Sequence, residues 1–198
     1  MLPTTSLPGY QLQEYILALQ PHEELCHRIS NIRTELAEKY KVALPNNGQA
    51  HITLVHFFAP EMVEEKIIQR LQNMAISITP FKVELCDYGA YPSHSVYINI
   101  ATRSALQNLV KELKRLKPLM QVPDHDPHFI TEPHLVLLQK LKPMQSINIW
   151  MECEHTTFSG RFIADNIVLL KRNAYGYETV KQIHLMNMPV VAKQGELF

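Results

Sequence analysis

HITLVHFFAP, residues 51–60, and PHLVLLQ, residues 133–139, decide how this chain folds. Both stretches are rich in β-branched or large apolar residues, which is typical of a buried strand. Each contains a histidine followed three residues later by a leucine. Because side chains alternate along a strand, His51 and Thr53 point to one face, and His134 and Val136 likewise share a face. The sequence therefore predicts two strands that each present a histidine at the same relative position.

The helix signals lie at equal sequence distances from the two motif histidines. Helices are predicted to begin near Pro21 and Ser104, each 30 residues before a motif histidine, and Pro60 and Pro143 each lie 9 residues after one. A strand-helix-strand-helix-strand unit thus occurs twice, which indicates two lobes that present equivalent strands to each other.

We therefore predict an α+β fold in one bilobed domain, residues 1–198, assembled from repeats at approximately 10–90 and 94–187. Two pseudo-symmetric lobes of antiparallel-rich sheet should carry outer helices and enclose a central groove lined by the two histidine strands. The local signals predict that Lys117-Pro118 ends the third helix, that PDHDPHFITE is a polar loop, and that two strands, FSGRFIADNIVLLKR and YETVKQIHLM, close the chain.

The composition limits the classes of partner. Lys plus Arg and Asp plus Glu number 19 each, so the molecule projects no strong net field and must hold any polyanion locally. The three cysteines lack metal or redox spacing and are expected to be reduced core residues. Without a signal peptide or a long apolar run, we expect a cytoplasmic protein that does not bind membranes.

Two imidazoles facing one cleft can act as the base and the acid of a single displacement, because imidazole gives or takes a proton near neutral pH. That chemistry requires neither a metal nor a cofactor. The Asp124–His128 segment could be interpreted as a metal site, but its prolines and polar residues favour a solvated loop. His56, five residues after His51, is expected to point off the opposite face of its strand.

HITL and PHLVL, together with YILALQP at the start and YGAYP between them, resemble the two-histidine phosphoesterase superfamily, in particular the RNA 2′,3′-cyclic phosphodiesterase and 2′-5′ RNA ligase-like family. The resemblance implies an enzyme in which His51 and His134 act as acid and base, with His134 activating the nucleophile. It also implies that Thr53 and the position of Val136 contact the phosphate, and that Tyr91 stacks on a base. The implied partner is a nucleotide or RNA terminus with a cyclic phosphate, handled by a monomer without recognition of DNA sequence.

The second motif departs from the family pattern. Val136 stands where the family has a hydroxyl residue, and Gln139 stands where a basic residue often follows. Three hypotheses therefore remain open: a metal-independent cyclic phosphodiesterase, a weakened member that binds nucleotides or RNA ends without turnover, and a structural or interaction protein with coincidental histidines.

Overall fold

The computed structural model describes residues 10–44, 49–91 and 94–188. Two short 3-10 turns, Glu61–Val63 and Lys114–Leu116, adjoin the second and fourth helices. In chain order the elements are β1 Leu12–Leu19, α1 Glu23–Tyr40, β2 Ile52–Pro60, α2 Glu64–Ala75, β3 Phe81–Tyr91, β4 Ser95–Ile100, α3 Arg103–Leu113, α4 Lys117–Met120, β5 His128–Phe129, β6 Leu135–Gln139, α5 Pro143–Cys153, β7 Ser159–Ala164, β8 Asn166–Asn173 and β9 Gly176–His184. None of the helices in the described part of the chain is long and apolar enough to cross a membrane.

The nine strands of the described residues belong to one antiparallel sheet with the order β7-β3-β4-β6-β2-β1-β8-β9, and β5 pairs with β2 beside this path. The two histidine strands, β2 and β6, are neighbours at its centre. They divide the sheet into two halves of four strands, which we name the β6 lobe (β7-β3-β4-β6) and the β2 lobe (β2-β1-β8-β9). The predicted α+β fold, with two lobes about the histidine strands, is confirmed.

Helices α1 and α3 each follow a strand of one lobe and contact a strand of the other. Helix α1 follows a strand of the β2 lobe, yet it contacts β6 and α5 in the other lobe. Helix α5 contacts β3 and β4, while α2 contacts β9 and both α3 and α4 contact β2. The apolar faces of helices and sheet form one large core, in which Tyr15 is fully buried and stacks on Phe57. Of the three cysteines, only Cys153 is buried in this core, and Cys26 and Cys86 are half-buried.

A single residue, Asp165, links the two lobes at the far side of the sheet. It connects β7, at one edge, to β8, which lies six strands away along the sheet order. In a flat sheet with strands about 4.8 Å apart, that separation would be roughly 29 Å, far beyond the reach of one residue. The sheet must therefore curl so that its two halves approach each other, which gives the groove its concave shape.

Three local predictions were wrong, and each has a physical reason. Helix α3 ends at Leu113, before the predicted Lys117-Pro118, and the helical chain continues through a 3-10 turn into α4, where Pro118 lies in the first turn and its missing N–H costs no helical bond. The predicted polar loop contains β5, whose two residues pair with β2. The first of the two predicted closing strands is interrupted at Asp165, so three strands close the described chain.

Candidate active site

The two histidine strands meet at one register pair, Ile52 with Leu135, and both of these side chains are fully buried. Alternation along each strand therefore turns the flanking positions to the opposite face, into the groove. His51, Thr53, His134 and Val136 are all half-buried, as this geometry requires. His51 and His134 directly precede β2 and β6, so by this register they are diagonal neighbours, which on an antiparallel pair are about 7–8 Å apart.

The two imidazoles are held in the same way. The Nδ1 atom of His51 lies 2.9 Å from the carbonyl oxygen of Gln49, and the Nδ1 atom of His134 lies 3.1 Å from the carbonyl oxygen of Glu132. In both cases the carbonyl belongs to the residue two positions earlier. A carbonyl only accepts, so Nδ1 carries the hydrogen in each ring, and Nε2 is the atom left to exchange protons in the groove.

Arg33 of α1 lies beside the first histidine. Its guanidinium donates a hydrogen bond of 3.0 Å to the carbonyl oxygen of Val136 on β6. Burial lowers the pKa of His51 below its usual value, and the positive charge of Arg33 adds to the decrease, although the hydrogen bond to Gln49 opposes it. The free protein therefore favours a neutral His51 ring.

Aromatic rings surround the second histidine. The ring centroid of Tyr97 is 4.5 Å from that of His134, and the ring centroid of Tyr91 is 5.3 Å from it. Tyr91 also contacts Tyr97 at 4.9 Å and stacks on His94 at 5.7 Å. A cavity of about 100 Å³ adjoins this group and is lined by Tyr91, Tyr97 and His134 together with polar side chains of α3 and β4.

Val136 lies on the groove face of β6, directly across from Tyr97 on β4. Its side chain offers no hydrogen-bond donor to a phosphate. Gln139 is the last residue of β6, is exposed, and pairs with Ser95. Lys171, a cation on β8, is paired with Glu61 and Glu64.

His56 occupies the same sheet face as Thr53, contrary to the prediction. The pairing of β1 with β2 skips one residue, since Leu17 faces Val55 and Ala18 faces Thr53. Leu54 is therefore the extra residue of a β-bulge, and a bulge shifts the alternation of the residues that follow.

This shift brings His56 next to a carboxylate on β1. The Nε2 atom of His56 lies 2.9 Å from Oε1 of Glu14, which also accepts a hydrogen bond from the hydroxyl of Tyr177 and lies 3.4 Å from Arg172. The resulting polar cluster lies along the β2 lobe, away from the two motif histidines.

The sequence patterns indicated His51, Thr53, His134 and Val136 as candidates, but they did not indicate Arg33 or Tyr97. A signal for Arg33 exists, because it follows the buried Ile29 by four residues and so places a cation near the apolar side of α1. No such signal exists for Tyr97, since tyrosine is ordinary on a strand. The part of the chain that the structure describes contains no group of three or more His, Cys, Asp or Glu side chains able to hold a metal.

Comparison with solved structures supports the fold. E. coli LigT in its apo form superposes with a TM-score of 0.64 at 16% identity, covering 88% of this chain and 98% of LigT. TT0787 of Thermus thermophilus gives a TM-score of 0.61 at 15% identity, covering 87% of this chain and 98% of that one. LigT in complex with NADP+ gives 0.60 at 19% identity, covering 89% and 99%.

A search of curated protein sequences finds no match. The family model of the 2′-5′ RNA ligase superfamily matches residues 21–176, which include both histidine strands and most of the chain. The predicted membership in the two-histidine phosphoesterase superfamily is thereby confirmed, and the chain belongs to the 2′-5′ RNA ligase superfamily.

Proposed function

We propose that this protein is a metal-independent phosphodiesterase that opens 2′,3′-cyclic phosphates of RNA ends or nucleotides. His134 removes a proton from a water molecule, whose oxygen attacks the phosphorus. The bond from phosphorus to one ribose oxygen breaks, and His51, whose imidazolium form the bound phosphate anion favours, donates its Nε2 proton to that oxygen. The product carries a phosphomonoester on one ribose hydroxyl position and a free hydroxyl on the other, and both imidazoles return to their starting states by proton exchange with water.

The paired anchoring of the two imidazoles is the observation that carries this proposal. Each ring has its Nδ1 atom fixed by the carbonyl two residues earlier, at 2.9 Å for His51 and 3.1 Å for His134. A ring with Nδ1 protonated can accept at Nε2, and when fully protonated it can donate from Nε2. Two such atoms on one groove face match the need of in-line displacement for a base and an acid.

Thr53 is the proposed phosphate contact of the first motif, through its hydroxyl. Val136 occupies the equivalent position in the second motif without supplying a donor. Arg33 is close enough to His51 to influence its pKa, and its charge therefore favours an anion in the same region of the groove. We assign it to the electrostatic stabilisation of the bound phosphate.

The ligands of a structural relative support a nucleotide as the substrate. LigT has been crystallised with phosphate, 3′-AMP, ATP and NADP+. In this chain Tyr91 is the proposed base platform. Its ring is already parallel to that of His94, with an interplanar angle of 8°, so a base would extend this stack.

One experiment on the wild-type protein separates an enzyme from a binding module. A 2′,3′-cyclic nucleotide is titrated by calorimetry, and parallel samples are resolved by chromatography to quantify the opened product. We expect binding accompanied by a phosphomonoester product. Binding without product would refute the enzyme and favour the second candidate, a nucleotide or RNA-end binding module, which the lost hydroxyl at Val136 supports. Absence of both would refute both functions.

A further inference from the structure

We propose that Tyr97 is a positioning residue for His134: its ring holds the imidazole in the orientation from which Nε2 reaches the substrate. This inference deepens the proposed function and rests on it. The two motif histidines have the same backbone anchor, but a single hydrogen bond at Nδ1 leaves a ring able to pivot about that bond. The second histidine has an additional constraint, because Tyr97 lies against it with ring centroids 4.5 Å apart.

The register of the sheet places this tyrosine beside the weakened motif. Tyr97 lies opposite Val136 across β4 and β6, and opposite Gly89 across β3 and β4. Its side chain therefore stands on the groove face, between the second motif and the neighbouring strand. A tyrosine in this place fills the space beside His134 and limits the positions that the imidazole can adopt.

Gly89 provides the space that the tyrosine ring occupies. A Cβ atom built on Gly89 would lie 2.4 Å from Cε2 of Tyr97 and 2.6 Å from its Cζ, which is shorter than any real contact. The ring could not remain in its present position over any residue other than glycine. Two residues of YGAYP thus fix the position of Tyr97. Gly89 leaves room for its ring, and Tyr91 contacts it with ring centroids 4.9 Å apart.

The ring of Tyr97, rather than its hydroxyl, makes the contact with His134. Among the described residues the hydroxyl has no hydrogen-bond partner, and burial raises its pKa, so it stays protonated at neutral pH. Aromatic pairs at this separation stabilise a defined geometry by about 0.5–1.5 kcal/mol. The phenyl ring of Tyr97→Phe should therefore preserve the function that Tyr97→Leu removes.

The test compares Tyr97→Leu, Tyr97→Phe and Gly89→Ala in steady-state assays on a 2′,3′-cyclic nucleotide. Displacement of a catalytic group by about 1 Å can reduce the rate by two orders of magnitude. We expect Tyr97→Leu and Gly89→Ala to lower kcat roughly ten- to a hundredfold with KM changed less than about threefold, and Tyr97→Phe to retain most of kcat. Gly160→Ala is the matched control, since its new Cβ would contact Leu25 and Phe158, away from His134.

A second readout does not depend on turnover. The Cε1 proton of His134 should show a ring-current shift in the NMR spectrum of the wild type and of Tyr97→Phe, and this shift should diminish in Tyr97→Leu and Gly89→Ala. If the wild type turns over no cyclic nucleotide, the proposed function fails, while these shifts alone decide whether Tyr97 positions the ring. An unchanged His134 resonance, or unchanged kcat in an active and folded Tyr97→Leu protein, would overturn the inference.

Discussion

At the level of single residues, Val136 stands at the position where the resemblance led us to expect a hydroxyl side chain. Threonine at this position would add a hydroxyl to the groove face at nearly constant volume. A hydrogen bond to a charged group contributes about 1.5–3 kcal/mol, and desolvation of the new hydroxyl offsets part of it. We expect Val136→Thr to raise kcat/KM on a 2′,3′-cyclic nucleotide by at most roughly a hundredfold.

Val180→Thr, on strand β9, is the matched control for this substitution and should leave kcat/KM unchanged. A fall in kcat/KM for Val136→Thr with the fold intact would contradict the prediction. It would show that the valine contributes through its contact with the aromatic group or through substrate fit.

The ionisation of His51 is a second property of one residue that can be measured. Burial and the charge of Arg33 both lower its pKa from the usual 6.5. NMR titration of its Cε1 proton should therefore give a midpoint below 6.5. Removal of the neighbouring charge in Arg33→Met should raise this midpoint, and so should saturation with inorganic phosphate, because an anion favours the imidazolium form.

Arg70→Met, an exposed arginine on α2, is the control and should leave the His51 midpoint in place. A midpoint at or above 6.5 in the wild type would contradict the environment described for His51.

At the level of elements, the bulge in β2 creates the polar cluster of Glu14, His56, Tyr177 and Arg172. Burial alone would raise the pKa of Glu14, but hydrogen bonds from Tyr177 and His56 outweigh it, and the pKa is lowered from 4.5. A carboxyl whose pKa is lower in the folded state stabilises the fold above its unfolded pKa, and this contribution is lost as the pH falls through the folded value.

We therefore expect Glu14→Gln to reduce the free energy of unfolding by about 1.5–3 kcal/mol at pH 7, with the deficit shrinking as the pH falls below 4.5. Urea denaturation at several pH values measures this. Glu65→Gln, which changes an exposed glutamate of α2, should cost far less. If Glu14→Gln lowered the free energy of unfolding equally at every pH, the charge of Glu14 would not contribute to the stability of the fold.

The same elements show what could and could not be predicted from the sequence. The periodic apolar residues of α1 and the two histidine strands were sufficient for the fold, because burial imposes these periods. The bulge at Leu54 was not predictable, since it depends on how β1 and β2 register in the folded sheet. The break at Asp165 and the helix through Pro118 depend likewise on tertiary packing, which overrides the local signals.

At the level of the whole molecule, the two lobes are joined by direct connections and by helix packing. Helix α1 follows β1 of the β2 lobe but packs on β6, and Asp165 connects β7 of one lobe directly to β8 of the other. Buried residues of both lobes belong to one large hydrophobic core. We expect a single cooperative unfolding transition for the proposed single domain, consistent with a core shared by both lobes.

Trp150, the single tryptophan, lies on α5 over the β6 lobe and reports on that lobe by fluorescence. Far-UV circular dichroism reports on the strands and helices of both lobes. The two signals should give the same midpoint and the same slope in urea. A second transition seen only by circular dichroism would mean that the β2 lobe unfolds independently.

In the proposed mechanism, the two lobes bring His51 and His134 together as the acid and base of one displacement. Its most direct test is the steady-state rate on a 2′,3′-cyclic nucleotide, in excess EDTA, for the wild type, His51→Ala, His134→Ala and the control His155→Ala, an exposed histidine after α5. We predict turnover by the wild type and the control, and nearly complete loss in each motif variant, because either loss leaves one proton transfer without a catalyst. Wild-type rates in both His51→Ala and His134→Ala would contradict the account.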